Sequence, residues 1–365
     1  MKGRFFDILQ EVEKDHKAGA GSTKDSHLLV IDGLNTFIRV FSAVPALNDD
    51  GLHIGGVTGF LRSIAAVIRK ITPTRCVIVF DGKGGSVRRK AMFPEYKANR
   101  AVKTAFNRYQ EFATLQDESE SMKKQFGRMV QYLNCLPVTT ISIDNVEADD
   151  IMAYIANEIY TKDENKVTIC STDRDFLQLV NNRITVWSPI KKKMYTPSVM
   201  QEEFGFSPKN YLLYRSFIGD KSDNIPGLKG VGPKSLLKHF PMFTEDRVLT
   251  VRELVEHATN VDKKYKVHTL VSENEELLDL NYKLMQLQEV DIHGGAKEVT
   301  LDAMQRDIDK LNTYEFKKMF MADKMYTVIK DLDNLTKKGG DIQVCYRNDQ
   351  PTEGSQSEYA VPYIG

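Results

Sequence analysis

HLLVID (His27–Asp32), RCVIVFD (Arg75–Asp81) and KVTICSTDRD (Lys166–Asp175) decide the fold between them. Each opens as an apolar, β-rich run without the in–out alternation of a half-solvated strand, and each runs into aspartate. Such runs predict strands buried on both faces. RITVW (Arg183–Trp187) is a shorter fourth. Helical spacing fills the gaps, around Gly56–Lys70, Glu118–Leu133 and Ala148–Tyr160. The alternation predicts an α/β fold with a mostly parallel central sheet covered by helices. The carboxyl ends of parallel strands open on one crevice. Asp32, Asp81, Asp173 and Asp175 are therefore expected to meet there although they are far apart in the chain.

Two further acidic groups join them. VEADD (Val146–Asp150) opens a helix, with Glu147 and Asp150 on one face and Asp149 about 100° away by helical geometry. Asp220 and Asp223 lie in the loop GDKSDNIPG (Gly219–Gly227). A single Asp after a strand is ordinarily a turn former or cap, and acids in a first helical turn complement the macrodipole. Five coordinated acidic sites fit those explanations poorly. Carboxylates crowded into one cleft repel unless cations neutralise them. An all-oxygen set without His or Cys favours Mg2+ or Mn2+ over zinc, and two such ions suit phosphodiester hydrolysis.

Composition excludes several classes. The 365 residues are 41% hydrophobic, enough for a sizeable core. No stretch approaches the roughly 20 apolar residues of a membrane span, and Met1–Asp15 lacks a signal-peptide core. The expectation is a cytoplasmic monomer with no membrane partner, in the host cytoplasm if phage-encoded. Cys76, Cys135, Cys170 and Cys345 show neither disulfide-framework nor zinc spacing. Fifty basic residues balance fifty acidic ones. Charge is nevertheless segregated: Lys83, Arg88, Arg89, Lys90, Lys97, Arg100, Lys103 and Arg108 face the single acid Glu95 in one stretch, a local footprint for phosphates. The expected organisation is an N-terminal extension (1–26), an α/β domain (27–206), a helical domain (207–338) and a polar tail (339–365).

IDGLN (Ile31–Asn35), VFDGKGGSVRR (Val79–Arg89), FPEYKANR (Phe93–Arg100), VEADD, STDRDFLQL (Ser171–Leu179) and GDKSDNIPGLKGVGPKSLLKHF (Gly219–Phe240) together resemble the flap endonuclease and 5′-3′ exonuclease superfamily. The motifs are collinear and span roughly two-thirds of the chain. WSPIKKKM (Trp187–Met194) is similar to phage members, and the bacterial DNA polymerase I 5′-nuclease domain is a second point of likeness. The resemblance implies a PIN-like α/β domain, a helical arch at about 83–120, and a helix-hairpin-helix-like element. It implies Asp32, Asp81, Glu147 and Asp149 at a first metal site, Asp173 between two ions, and Asp175, Asp220 and Asp223 at a second. Asp150 accompanies them, and Asp150 and Asp220 are the weakest candidates for direct ligands.

The same resemblance places Lys97 and Arg100 at the arch base as electrophiles on the scissile phosphate; three residues apart, they share one side if helical. Tyr96 is expected to offer a stacking face for an unpaired base. Lys83, Arg88, Arg89, Lys103 and Arg108 read as a phosphate funnel, and Lys103–Glu120 as a mobile polar stretch. GLKGVGPK (Gly227–Lys234) opens a helix at Pro233. There Lys229, Gly230, Gly232, Lys234 and Lys238 are expected to grip duplex DNA, with a monovalent cation such as K+ at the hairpin. The implied function is cleavage of 5′ flaps, nicked DNA and RNA primers during replication, with a single-strand-binding protein or sliding clamp as candidate partner. Two alternatives remain: a PIN-type ribonuclease on single-stranded RNA, and a non-catalytic DNA-structure binder.

Overall fold

The computed structural model describes residues 26–101, 105–110 and 112–328. The expected N-terminal extension to residue 25, Lys103, Cys345 and the tail lie outside the described residues. The sheet has six strands in the order β3-β2-β1-β4-β5-β6, with β1 His27–Asp32, β2 Arg75–Asp81, β3 Thr139–Ile143, β4 Lys166–Cys170, β5 Ile184–Ser188 and β6 Lys193–Tyr195. β1 to β5 are parallel neighbours, and β6 runs antiparallel on the edge.

The sheet buries both faces, as its unbroken apolar strands require. Leu28, Val30, Val77, Val79, Val167 and Ile169 pack on one side against Ile151 and Met152 of the helix Ala148–Tyr154. Leu29, Ile31, Cys76, Ile78 and Phe80 pack on the other, against Phe37, Phe60, Ile64 and Tyr132 from the helices Gly33–Ala43, Gly55–Ile71 and Leu115–Leu133. Gly33 is required where the first of these helices starts, since a Cβ there would lie 2.4 Å from the Phe80 ring. The expected helix Ala148–Tyr160 is α-helical to Tyr154 and widens to a π-turn over Ile155–Ile159.

β3 and β6 were not legible as strands. β3 is TTISI with only its central isoleucine buried, and β6 is three residues long. Both are edges, with one neighbour each and no apolar run to mark them.

The boundary expected at 206/207 is not a break in packing. One buried cluster runs from Leu28 and Val30 through Tyr211, Leu254 and Leu278 to Met304. The helix Thr313–Ala322 returns to the opposite face, where Phe316 and Phe320 join the cluster of Ile31 and Ile78. Phe316 meets Tyr132 edge-on with ring centroids 4.9 Å apart. Phe316→Ala is therefore expected to cost about 3–5 kcal/mol of unfolding free energy in urea; a loss under ~1 kcal/mol would mean that the helix is peripheral.

Candidate active site

Each strand-end aspartate is fixed by the chain around it. Asp32 caps the helix Gly33–Ala43, accepting the Asn35 N–H at 3.0 Å and the Ser171 hydroxyl at 2.9 Å. Asn35 in turn accepts the Thr172 hydroxyl at 2.8 Å, which clips the end of β1 to the end of β4. Ser171 Oγ also receives the Asp173 N–H at 3.0 Å, and Asp173 Oδ1 receives the Asp175 N–H at 2.8 Å. Asp81 accepts the Ala148 N–H at 2.8 Å, at the start of the helix that carries Asp149. Every backbone donor used here stands at a strand end or helix start, where it lacks a ladder partner.

Charge sorts the acids into two groups. Glu147, Asp150, Asp175, Asp220 and Asp223 are each paired with a basic side chain. Arg89 donates to both Asp150 oxygens at 2.7 Å and to Glu147, and Lys97 closes on Glu147 from the other side. Arg88 adds a 3.2 Å contact to Asp150. Arg215 joins Asp175, at 2.6 Å, to Asp220, and Arg100 pairs with Asp223. Burial alone would raise the Glu147 carboxyl, but Arg89 and Lys97 hold it down at about 2.

Asp32, Asp81, Asp149 and Asp173 make no ion pair among the described residues, although the Lys97 charge acts on Asp149 and the Arg215 charge on Asp173. Burial pushes Asp32 up to about 7, and the Asp173 and Asp81 charges add to the rise. Burial likewise raises Asp149, reinforced by Asp173, Asp32 and Asp81. The charges of Asp32, Asp81, Asp149 and Asp173 therefore act on one another, three of these acids coming from strand ends and Asp149 from the helix start. Such a cluster takes up protons or cations. Its oxygen-only chemistry fits a hard divalent ion. Among the described residues, however, no group of three or more His, Cys, Asp or Glu is set as a ready-made cage.

Residues 27–205 match the family model described as 5′-3′ exonuclease, N-terminal resolvase-like domain. The 5′-3′ exonuclease of Aquifex aeolicus is 28% identical over 309 residues, covering 84% of this chain and 96% of that one. DNA polymerase I of Bacillus caldotenax is 32% identical over 230 residues, 61% of this chain but only 24% of the polymerase. The chain belongs to the 5′-nuclease superfamily. It is by family a hydrolytic nuclease. Among solved structures, bacteriophage T5 5′-exonuclease with bound zinc is similar in fold, with TM-score 0.58 and 22% identity over 81% of this chain and 99% of that one.

Several residues expected to touch DNA have other places in this nuclease. Arg89 is 4% exposed, and its Nε donates to the Leu284 carbonyl at 2.8 Å, so it offers no surface to a phosphate. Tyr96 is 3% exposed; its hydroxyl donates to Asp223 at 3.1 Å, which leaves no ring face for stacking. Asp150, expected beside the ions, is turned into the Arg88–Arg89 fork and is buried. Lys97 and Arg100 do not share a regular helix. Lys97 stands at φ 58, its N–H bound to the Asp223 carbonyl at 2.9 Å, and only Ala98–Ala101 is a 3-10 turn. The stretch expected to be mobile is anchored over 105–110: the Asn107 amide donates to Phe41 O at 2.7 Å, and its N–H to the buried Glu118 at 2.6 Å.

Lys83, Lys229, Gly230, Lys234 and Lys238 are exposed, as their expected role requires, and Gly232 precedes the helix Pro233–His239. Arg215 went unread in the sequence, as did the Ser171–Asn35–Thr172 clip and Gln178. Gln178 is buried, donating to Asp175 O at 2.8 Å and to Met285 O at 2.9 Å. A lone arginine in the apolar helix YLLYRSFI, five residues before Asp220, was the available signal for the first.

Removing Arg89 leaves two buried carboxylates short of their main cation. Arg89→Ala is expected to lose about 3–5 kcal/mol of stability in urea. Unchanged stability with a DNA-binding salt slope reduced by about 1 would restore it to the phosphate funnel.

Proposed function

We propose that this chain is a structure-specific 5′ nuclease that cuts 5′ flaps, nicked DNA and RNA primers paired to DNA, using two Mg2+ or Mn2+ ions. One observation carries the reading: four acids from separate elements act on one another at the strand ends and, among the described residues, make no ion pair, with the Lys97 charge close enough to act on Asp149. The metal-bearing T5 relative supports the need for divalent ions at the level of the fold. The T5 flap endonuclease in complex with DNA and metal ions, similar in fold with TM-score 0.57 and 22% identity, supports a DNA substrate.

In this reading Asp32, Asp81, Asp149 and Asp173 hold the ions, with Asp175, Asp220 and Asp223 completing the second site. When bound, divalent ions would supply a water activated at neutral pH and a positive charge for the departing 3′ oxygen. The chain itself sets the phosphate. Lys97 is held in a left-handed turn against Glu147 and Asp223, so its ammonium is aimed at the crevice before substrate arrives. Exchanging a carboxylate for a phosphate oxygen leaves its charge-assisted hydrogen bond intact and stabilises charge building on that oxygen. Arg100, 55% exposed on its side chain, stands at the entrance. Tyr96 keeps Asp223 in place through its hydroxyl. Lys229, Lys234 and Lys238 carry the downstream duplex by its backbone, with K+ proposed at the hairpin around Gly230 and Gly232.

The test is cleavage of labelled flap, nick, hybrid and unstructured RNA substrates by the wild type and Asp173→Ala. A chelator is expected to abolish cleavage, and Asp173→Ala to lower turnover by about 10²–10³-fold, the usual cost of one charge-stabilising group, with flap affinity kept. Preferential cutting of unstructured RNA would instead favour a ribonuclease. Tight flap binding without cleavage in any metal would leave a structural DNA binder.

A further inference from the structure

The two groups of acids are not equally available to a cation. Among the described residues Asp32, Asp81, Asp149 and Asp173 make no ion pair, whereas Asp175 and Asp220 are already joined by Arg215. Arg215 is only 5% exposed, on the buried helix Tyr211–Ile218. Its Nε donates to Asp175 Oδ1 at 2.6 Å and its Nη2 to Asp220 Oδ2. Asp220 Oδ1 is satisfied separately by the Ser222 N–H at 2.7 Å and the Ser222 hydroxyl at 2.6 Å. The loop that carries Asp220 is itself rigid. Gly219 turns at φ 65, where a Cβ would lie 2.5 Å from Ile225 O, and Asp220 and Ile225 exchange backbone hydrogen bonds of 2.9 and 2.7 Å. Asn281 fastens the same loop from the helix Glu275–Met285, donating to Ser216 O at 2.9 Å and Pro226 O at 2.7 Å. Arg215 therefore spans two fixed acids at the place where a second divalent ion would bind.

We propose that Arg215 is a built-in counter-cation of the second ion site: it keeps Asp175 and Asp220 apposed without metal, and its competing charge makes that site the weaker of the two. The proposal rests on the two-ion reading above. Arg215 is a positioning residue, since it acts through the acids and not on the substrate. A buried guanidinium cannot shed its proton, so it stays charged when the ion arrives and opposes it. Its forked shape also fixes the distance between the two carboxylates, which lysine cannot reproduce.

Calorimetric titration of the full chain with Mn2+, without DNA, separates these contributions. The wild type is expected to show a tighter and a weaker step. In Arg215→Gln the weaker step should tighten by at least about tenfold, because a unit charge within a few ångströms of the ion has gone. In Arg215→Lys the charge remains, so its affinity should stay near that of the wild type. Turnover at saturating Mn2+ should fall in both, since neither keeps the fork. An unchanged or weakened second step in Arg215→Gln overturns the proposal while leaving the two-ion reading intact. Absence of divalent-ion binding by the wild type overturns that reading and the proposal with it. Should Arg215→Gln fail to fold, the Arg215 Nε–H resonance of the wild type decides the matter during a Mg2+ titration. Movement with the weaker step supports the proposal, and a signal unmoved through saturation ends it.

Discussion

Crowding of carboxylates at the carboxyl ends of parallel strands is the constraint around which this molecule is arranged. Parallel strands bring Asp32, Asp81 and Asp173 to the carboxyl ends of the sheet, and the helix that follows β3 adds Glu147, Asp149 and Asp150. So many negative charges repel in a partly dry crevice. The fold offsets that repulsion where it can: Arg89 and Lys97 at Glu147, Arg88 and Arg89 at Asp150, Arg215 at Asp175 and Asp220, and Arg100 at Asp223. Four acids are left without an ion pair among the described residues, and their mutual repulsion is what suits the site to divalent cations.

The compensating cations also tie the distant parts of the chain together. Arg89 reaches Leu284, Gln178 reaches Met285 and Asn281 reaches Pro226, so the helix Glu275–Met285 is fastened to each of the acidic segments it faces. Lys97 and Asn224 link the arch base to the acidic loop, through Lys97 N–H to Asp223 O and the Asn224 amide to Glu95 O. The helices after residue 206 are thereby part of the site's frame, consistent with the unbroken core that runs to Met304.

What the sequence disclosed followed from its periodicity and from the position of its acids. Central strands β1, β2 and β4 are mainly apolar because both faces are covered, so they and the aspartates that end or follow them stand out. β3 and β6 escaped because an edge strand needs no apolar run. Arg89 and Tyr96 were misassigned for a different reason. A basic or aromatic residue in a basic stretch looks solvated, and only the packing of Leu284 and Glu147 over them reveals their burial. Arg215 was missed because nothing in a single sequence tells which acids a buried cation will find.

The central claim is that Asp32, Asp81, Asp149 and Asp173 form the crevice where divalent ions bind. Anomalous diffraction from crystals soaked in Mn2+ measures this directly. The account predicts a principal anomalous peak among those four carboxylates, with a weaker one toward Asp175 and Asp220. A principal peak seated instead at Glu147 and Asp150, or none in the crevice at saturating Mn2+, would contradict it.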